Sequence, residues 1–294
     1  MIYTYSLEEG SKKHECPNCQ KKRYVRYVNN QTKEYADYQF GRCDREQECG
    51  YYRSPTNKTV DTPSYFTNNK PTMKISYVSS ATVESTLSNY EANGLATFLK
   101  TVYNEKMVND VLAKYMVGTS DKYGGSPIFW QVDENFKVRS GKIMGYDKIT
   151  GKRIKTNDSS PQITYFHTLT SIPDFNFTQC MFGAHLINNN EINYAIVESE
   201  KTALVMSLEM PQYSWLSVNG LNGFKNSMLT PLKGKKVVAF PDKGCYAKWH
   251  KTANELNNNE GYNIRVSNQL ENLTQNNGDD MADIFLAAHQ STKA

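Results

Sequence analysis

Four cysteines in the first fifty residues constrain this chain more than any other feature. Cys16-Pro17-Asn18-Cys19 forms a C-x2-C knuckle, and Cys43 and Cys49 complete the set as C-x5-C. Such a knuckle lets two thiolates reach one tetrahedral ion, and Zn²⁺ takes four such ligands in a closed structural site. Between the pairs, Arg23 to Val28 alternates like a strand, Asn29 to Lys33 reads as a turn, and Tyr35 to Phe40 reads as a return strand. A hairpin of this size has too little core to fold alone, so the metal must supply folding free energy on the order of 10 kcal/mol. Two disulfides are the alternative. Met1 to Tyr5 shows no basic segment leading into an apolar one, so no secretory signal precedes the cysteines, which favours the metal. His14 lies close to Cys16 but is expected to stand outside a ligand set that already has four cysteines.

The 294 residues suggest about two domains with a small metal module added. No apolar run approaches the ~20 residues of a membrane span, so the expectation is a soluble, cytoplasmic protein with no membrane partner. Cys180 and Cys245 lie far from the cluster and read as buried free thiols. The net charge of +4 is too small to prove a polyanionic partner. Its distribution says more. Lys12, Lys13, Lys21, Lys22, Arg23, Arg26, Arg42, Arg45 and Arg53 crowd the cysteine-rich segment, with tyrosines between them. This composition suits phosphate contacts and base stacking by single-stranded DNA, although a solvated polar face has the same composition.

The pattern divides the chain into a zinc ribbon over 1–53, a linker over 54–89, a mixed α+β segment over 90–190 and an α/β domain over 191–294. The linker is rich in Ser, Thr, Asn and Pro, with Tyr65-Phe66 and Ile75 to Val78 as docking points. Ser88 and Glu91 predict a capping box for a helix carrying Leu95, Phe98, Leu99 and Val102. A second helix over Glu105 to Tyr115 should bury Met107, Val108, Val111 and Leu112. Pro127 to Val132 and Lys137 to Tyr146 then read as strands. Lys148, Lys152, Arg153 and Lys155 follow, on what is either a solvated hairpin tip or a binding ridge. From Glu191 apolar strands end near Val197, Val218, Phe240 and Val266, alternating with helices over Glu200 to Met210, Asn222 to Leu229, Tyr246 to Asn257 and Met281 to Ala288. That alternation argues for a Rossmann-like parallel sheet covered on both faces.

Ligands of open parallel sheets bind outside the carboxyl ends of the strands. Glu198 follows the first strand of this unit and Asp242 the third, while Asp279, Asp280 and Asp283 follow the fourth. Clustered carboxylates on loops suit a hard divalent cation such as Mg²⁺. Each acid also has a bland reading: Glu198 as a favourable charge at a helix N-terminus, Asp280 as a helix cap.

Ile196-Val197-Glu198-Ser199-Glu200-Lys201 resembles the first motif of the toprim domain, Val237 to Gly244 its second, and Gly278-Asp279-Asp280-Met281-Ala282-Asp283 its closing acidic segment. With the N-terminal zinc module, the chain looks like the bacterial DNA primases, particularly the primase-like proteins of phages and mobile elements. Pro127 to Tyr146 and Phe182-Gly183-Ala184-His185-Leu186 are similar to the segments that precede toprim there. The resemblance implies synthesis of short RNA primers on single-stranded DNA from nucleotide triphosphates. Glu198 and Asp242 would be catalytic, and Glu198, Asp242, Asp280 and Asp283 would hold Mg²⁺ or Mn²⁺. Lys21, Lys22, Arg23, Arg26, Arg139 and Lys142 would contact nucleic acid. Two departures stand out. The second motif, normally Asp-x-Asp, reads Asp242-Lys243-Gly244, and Ser199 replaces the usual glycine after the first glutamate. The alternative is therefore a catalytically degenerate DNA-binding adaptor; a toprim nuclease fits the zinc module poorly. The chain has no helicase P-loop, so unwinding would need a separate helicase.

Overall fold

The computed structural model describes residues 4–45, 49–55, 74–157, 159–188, 193–274 and 276–291. The chain divides into two compact units, Met1–Lys70 and Pro71–Ala294. The predicted docking pair Tyr65-Phe66 lies outside the described residues.

The first unit is a small antiparallel sheet of β1 (Tyr5–Leu7), β2 (His14–Glu15), β3 (Lys22–Asn29), β4 (Gly41–Cys43) and β5 (Tyr52–Arg53). Its order is β1-β3-β4-β5, with β2 also on β3. The predicted return strand over Tyr35 to Phe40 is displaced. Only Tyr35 bridges to Val28, and the return strand begins at Gly41. Asp37 explains the delay: its side chain accepts from the Gln39 amide (3.0 Å) and its carbonyl from the Phe40 amide (2.9 Å), which turns the chain first.

The second unit begins inside the segment read as a linker, where the docking expected at Ile75 to Val78 occurs at Val78 and a helix follows. Val78 bridges to Val138, and α1 (Ser80–Glu84), capped by Ser79, buries Val83. The predicted Ser88/Glu91 box does not form. Asn89 adopts a left-handed conformation ahead of a single 3-10 turn, and Asn93 caps α2 (Gly94–Val102) instead. Asn93 is fully buried, accepts from the Ala96 amide at 3.1 Å and donates to the Gly118 carbonyl, so it satisfies groups that Ser88 is too far along the chain to reach. In α3 (Glu105–Lys114), Val108 and Leu112 are buried, but Met107 points outward and is 48% exposed. An antiparallel sheet follows in the order β6 (Val117–Ser120), β7 (Ser126–Val132), β8 (Val138–Met144), β9 (Ile163–Tyr165), with α4 (Phe166–Leu169) after it.

The remainder is the parallel sheet: β10 (Tyr194–Val197), α5 (Glu200–Glu209), β11 (Ser214–Ser217), α6 (Asn226–Leu229), β12 (Lys236–Ala239), α7 (Tyr246–Glu260) and β13 (Asn263–Val266). The short α8 (Gln269–Leu273), which the sequence pattern did not anticipate, and α9 (Met281–Ser291) complete it. All three strand pairings are parallel, in the order β11-β10-β12-β13. Alternate residues of β10 feed opposite faces. Ala195 and Val197 pack with Leu204, Ala282 and Leu286, whereas Tyr194 and Ile196 pack with Trp249, Ala253 and Leu256. Both faces are therefore covered, at about 1.5–3 kcal/mol for each large side chain buried. The segments expected as separate domains at 90–190 and 191–294 share one core, because Leu95 and Phe129 belong to the same cluster as Val197 and Leu204. Among the described residues, no helix is long and apolar enough to cross a membrane.

Candidate functional sites

In the first unit, the ligand atoms of Cys16, Cys19, Cys43 and Cys49 lie within 4.8 Å of one another. Cys16 Sγ is 3.6 Å from Cys49 Sγ, and Cys19 Sγ is 3.9 Å from Cys43 Sγ. Ligands at ~2.3 Å on a tetrahedron stand about 3.8 Å apart, so the set fits Zn²⁺. The separations far exceed a disulfide bond, and all six cysteines are free thiols, which sets the disulfide alternative aside. Cys16 and Cys43 are buried, and burial pushes the Cys43 thiol up to about 12. A cation must displace that proton, so its binding is linked to proton release. His14 pairs with Glu8 at 2.9 Å, outside the cluster.

The four basic residues singled out in this unit are not equivalent. Lys21, Lys22 and Arg23 are exposed. Arg26 is half-buried, its guanidinium 4.4 Å from the Tyr35 ring and 4.8 Å from the Tyr38 ring, and it donates to the Ala36 carbonyl at 2.7 Å. It clamps the loop that precedes β4.

In the second unit, strand order creates the other site. The chain leaves β10 toward β11 on one side and returns to β12 on the other, so β10 and β12 flank the switch point where such sheets open a crevice. Ile196 is level with Ala239. Glu198 and Asp242, two and three residues further on, therefore rise at the same carboxyl edge. Glu198 is only 7% exposed, and its Oε1 is buried with no hydrogen-bond partner. Burial raises its pKa, and facing it are Cys245, the Asp242 backbone, Lys248 and Asp280. Burial, followed by the charges of Glu198 and Asp280, pushes the Asp242 carboxyl up to about 8. These acids repel one another, which with burial outweighs the opposing charges of Lys248 at Glu198 and Arg153 at Asp242, and their oxygens suit a hard divalent cation. They are not a closed cage: among the described residues, only the cysteines bring three or more ligand atoms within 4.8 Å of one another.

Asp280 performs the capping role weighed for it, and Asp283 shares it. Asp280 Oδ1 accepts from the Asp283 amide and Asp283 Oδ2 from the Asp280 amide, both at 3.1 Å, a reciprocal cap at the start of α9. Thr202 also donates to Asp280 Oδ2 at 2.6 Å, which ties α9 to the start of α5. Both aspartates nevertheless line, with Asp242, a cleft of about 560 Å³. Its other lining residues include Lys152, Arg153 and Lys155 from the loop after β8, and Lys201 from α5. The basic segment 147–156 is thus a cleft wall, and an acidic wall meets a basic one.

Lys243 is turned away from the acids. Its Nζ donates to the carbonyls of Glu271 (3.0 Å) and Thr274 (2.5 Å), capping the end of α8. Position 244, where the motif would have its second acid, carries a glycine at φ +87. Its amide donates to Glu271 Oε1 at 2.9 Å.

Lys142 and Arg139 are engaged elsewhere. Lys142 Nζ holds both oxygens of Glu200, at 2.9 and 3.0 Å, with side-chain exposures of 10% and 1%. Arg139 Nε donates to Asp133 at 2.7 Å, with its guanidinium over Tyr77. Sequence reasoning missed Glu200 and Cys245, whereas Arg153 was read as part of a hairpin tip or binding ridge. For Glu200 the only local signal is that its polar stretch lies between two apolar runs, Ala195 to Val197 and Ala203 to Met206, since a charge at the start of a helix is ordinarily solvated.

No curated protein matches the sequence. Among solved structures, the chain is similar to the primase fragment of the bacteriophage T7 primase-helicase protein (14% identity, 96% of each chain covered, TM-score 0.44). It is also similar to the E. coli primase catalytic core (11%, 71% of this chain and 74% of that one, TM-score 0.43). A third such structure is the Aquifex aeolicus primase with its zinc-binding and RNA polymerase domains (13%, 98% and 79%, TM-score 0.38). Likenesses this distant do not by themselves assign an activity. Residues 3–64 match a zinc beta-ribbon finger family, in agreement with the four-thiol cluster. Residues 93–243, half of the chain and a span that includes both Glu198 and Asp242, match the family described as a domain of unknown function (DUF6371), and the chain belongs to that family.

Proposed function

We propose that this protein is a primase-like enzyme that engages single-stranded DNA and joins nucleotides into short RNA primers at the carboxyl edge of its parallel sheet. One observation carries the reading. Asp242, which follows a strand beside that of the buried Glu198 and feels its charge, faces a basic wall across a cleft large enough for a nucleotide. Lys152, Arg153, Lys155 and Lys201 are suited to triphosphate oxygens. Glu198 and Asp242 are suited to Mg²⁺ or Mn²⁺, which when bound would offset the negative charge of the reacting phosphates. The unpartnered Glu198 Oε1 supports this, since a buried carboxylate oxygen left without a donor is costly unless a cation completes it. Exposed Lys21, Lys22 and Arg23 in the ribbon are suited to the DNA backbone. Asp280 and Asp283, already committed to the cap of α9, would act at most as outer ligands.

The test is incubation of the purified protein with single-stranded DNA, labelled nucleotides and Mg²⁺ or Mn²⁺. Short oligonucleotides are expected from the wild type, and a loss of about 10² or more from Glu198→Gln. Product formation unchanged in that variant would overturn the assignment. The adaptor reading has one observation in its favour, the glycine at position 244, and predicts DNA binding with no product. DNA cleavage would point to the nuclease reading.

A further inference from the structure

The hairpin between β7 and β8 carries at its tip a side chain that the fold hardly uses. The Phe136 amide donates to the Asp133 carbonyl and the Asp133 amide to the Lys137 carbonyl, both at 2.9 Å, so a tight turn joins the strands and ends on a left-handed residue. Such a position ordinarily carries glycine. Here it carries Phe136, at φ +58 and 70% exposed. Buried Asp133 fixes this backbone. Its Oδ1 accepts from the Asn135 and Lys137 amides at 3.0 Å each, while Arg139 Nε holds Oδ2 at 2.7 Å. The Phe136 ring makes a T-shaped contact with the His185 ring at 6.1 Å, and most of its surface faces solvent. A strained backbone that presents an apolar ring to water does little for stability, and such outliers cluster where function uses them. Amines stand around the ring. Exposed Lys137 follows it, with Nζ 5.3 Å from the centre of the Tyr77 ring. Exposed Lys114 is brought near by its carbonyl, which accepts from His185 Nε2 at 3.0 Å. Glu134, also exposed on the tip, offsets one of the two charges.

From this geometry we infer that Phe136 is a stacking platform for a base of single-stranded DNA, with Lys137 and Lys114 beside it for the neighbouring phosphates. The inference rests on reading the chain as one that engages single-stranded DNA, and it adds a contact outside both the ribbon and the cleft. An exposed ring with amines at its rim matches a base and its backbone, since every base presents a π-face and every link a phosphate. A protein partner would instead call for a wider apolar patch, and the neighbours of Phe136 on the tip are Glu134, Asn135 and Lys137. The tip and the loop that walls the cleft stand at opposite ends of β8, a strand of seven residues and so about 20 Å long. A DNA strand that occupies both places spans about six stacked nucleotides.

The experiment measures, by fluorescence anisotropy over a range of salt, how the zinc-loaded full chain binds a labelled oligothymidylate long enough to occupy both places. Phe136→Asn, which suits the left-handed backbone, should bind about tenfold more weakly, with the slope of affinity against salt unchanged. It should melt no lower than the wild type, because little of the ring is packed. Phe136→Trp should bind as tightly as the wild type, and Lys137→Ala should flatten the salt slope. An oligonucleotide carrying iodouracil should photo-cross-link to Phe136 of the wild type, located by mass spectrometry, a readout that needs no variant. Unchanged affinity in folded Phe136→Asn, or Phe136→Trp as weak as Phe136→Asn, would overturn the inference. So would a Phe136→Asn protein that loses self-association in sedimentation yet keeps its DNA affinity, since the tip would then be a contact between copies. Each of these results leaves the ribbon and the cleft standing. A wild type that binds no oligothymidylate would instead remove the single-stranded DNA reading on which the proposed function depends.

Discussion

The four-thiol cluster and the acidic edge are both groups of cation ligands, built in opposite ways. In the first unit the ligands converge within 4.8 Å, and the buried cluster around them amounts to Cys16, Tyr24 and Cys43. There the ligands are most of the core. In the second unit the acids stand on a sheet with apolar clusters on both faces, and at Asp242 burial and the charges of Glu198 and Asp280 outweigh the opposing charge of Arg153. A closed site in a small unit stabilises the fold, whereas an open site on an independent core is kept at a cost in stability. That cost is what the function proposed for the acidic edge would account for.

The largest expected effect tests the first half of this contrast. Chelation, or Cys43→Ser, should unfold the ribbon, with a loss on the order of 10 kcal/mol, while the second unit keeps its cooperative melting transition. Circular dichroism and calorimetry of both forms would show it, and a ribbon that stays folded without metal would break the comparison.

A smaller effect tests whether the second unit depends on charge inside its core. Lys142→Met leaves Glu200 buried without a partner and should cost about 3–5 kcal/mol, read from denaturant unfolding. Adding Glu200→Leu should recover much of it. No loss in the single variant would mean that the pair is solvated.

Asp242→Asn addresses the cost of the open site. With the Asp242 carboxyl pushed up to about 8 by burial and by Glu198 and Asp280, the folded chain holds a proton that the unfolded chain, near 3.8, has released. Wild-type stability therefore falls as pH rises between those values. In a chelator, Asp242→Asn should be more stable than the wild type by on the order of 1–3 kcal/mol at pH 8 and equal to it below about pH 4. Thermal melts across pH would show the gap opening. A gap that is constant with pH would contradict the burial of charge at this edge.

Lys243→Ala gives the smallest change. It removes two contacts to the end of α8, at a cost of about 1 kcal/mol, and should leave cation affinity unaltered. Tighter cation binding in this variant would show that the lysine swings into the site and competes there.

How far the sequence could be read depended on whether the signal was local. The cysteine spacing and the acids placed just beyond apolar strands are local patterns, and both led to the right elements. Ser88 and Asn93 are equally good caps by local chemistry, and only the Gly118 carbonyl, held by the antiparallel sheet, favours Asn93. Met107 satisfies the helical period yet has no surface to cover. Cys245 read as an inert buried thiol because nothing in its neighbourhood along the chain reveals that Glu198 lies opposite.

By itself, then, the sequence determined that a tetrathiol module and a βα alternation must form, since strand period, turn residues and ligand spacing act over a few residues at a time. Tertiary structure alone decided that β12 lies beside β10. That adjacency brings Glu198, Asp242 and Cys245 together, while the packing of β8 and its following loop near the start of α5 places Arg153 in the same cleft and buries Glu200 on Lys142. Charges separated by forty or more residues change one another's ionisation only once packing has excluded the water that would otherwise screen them.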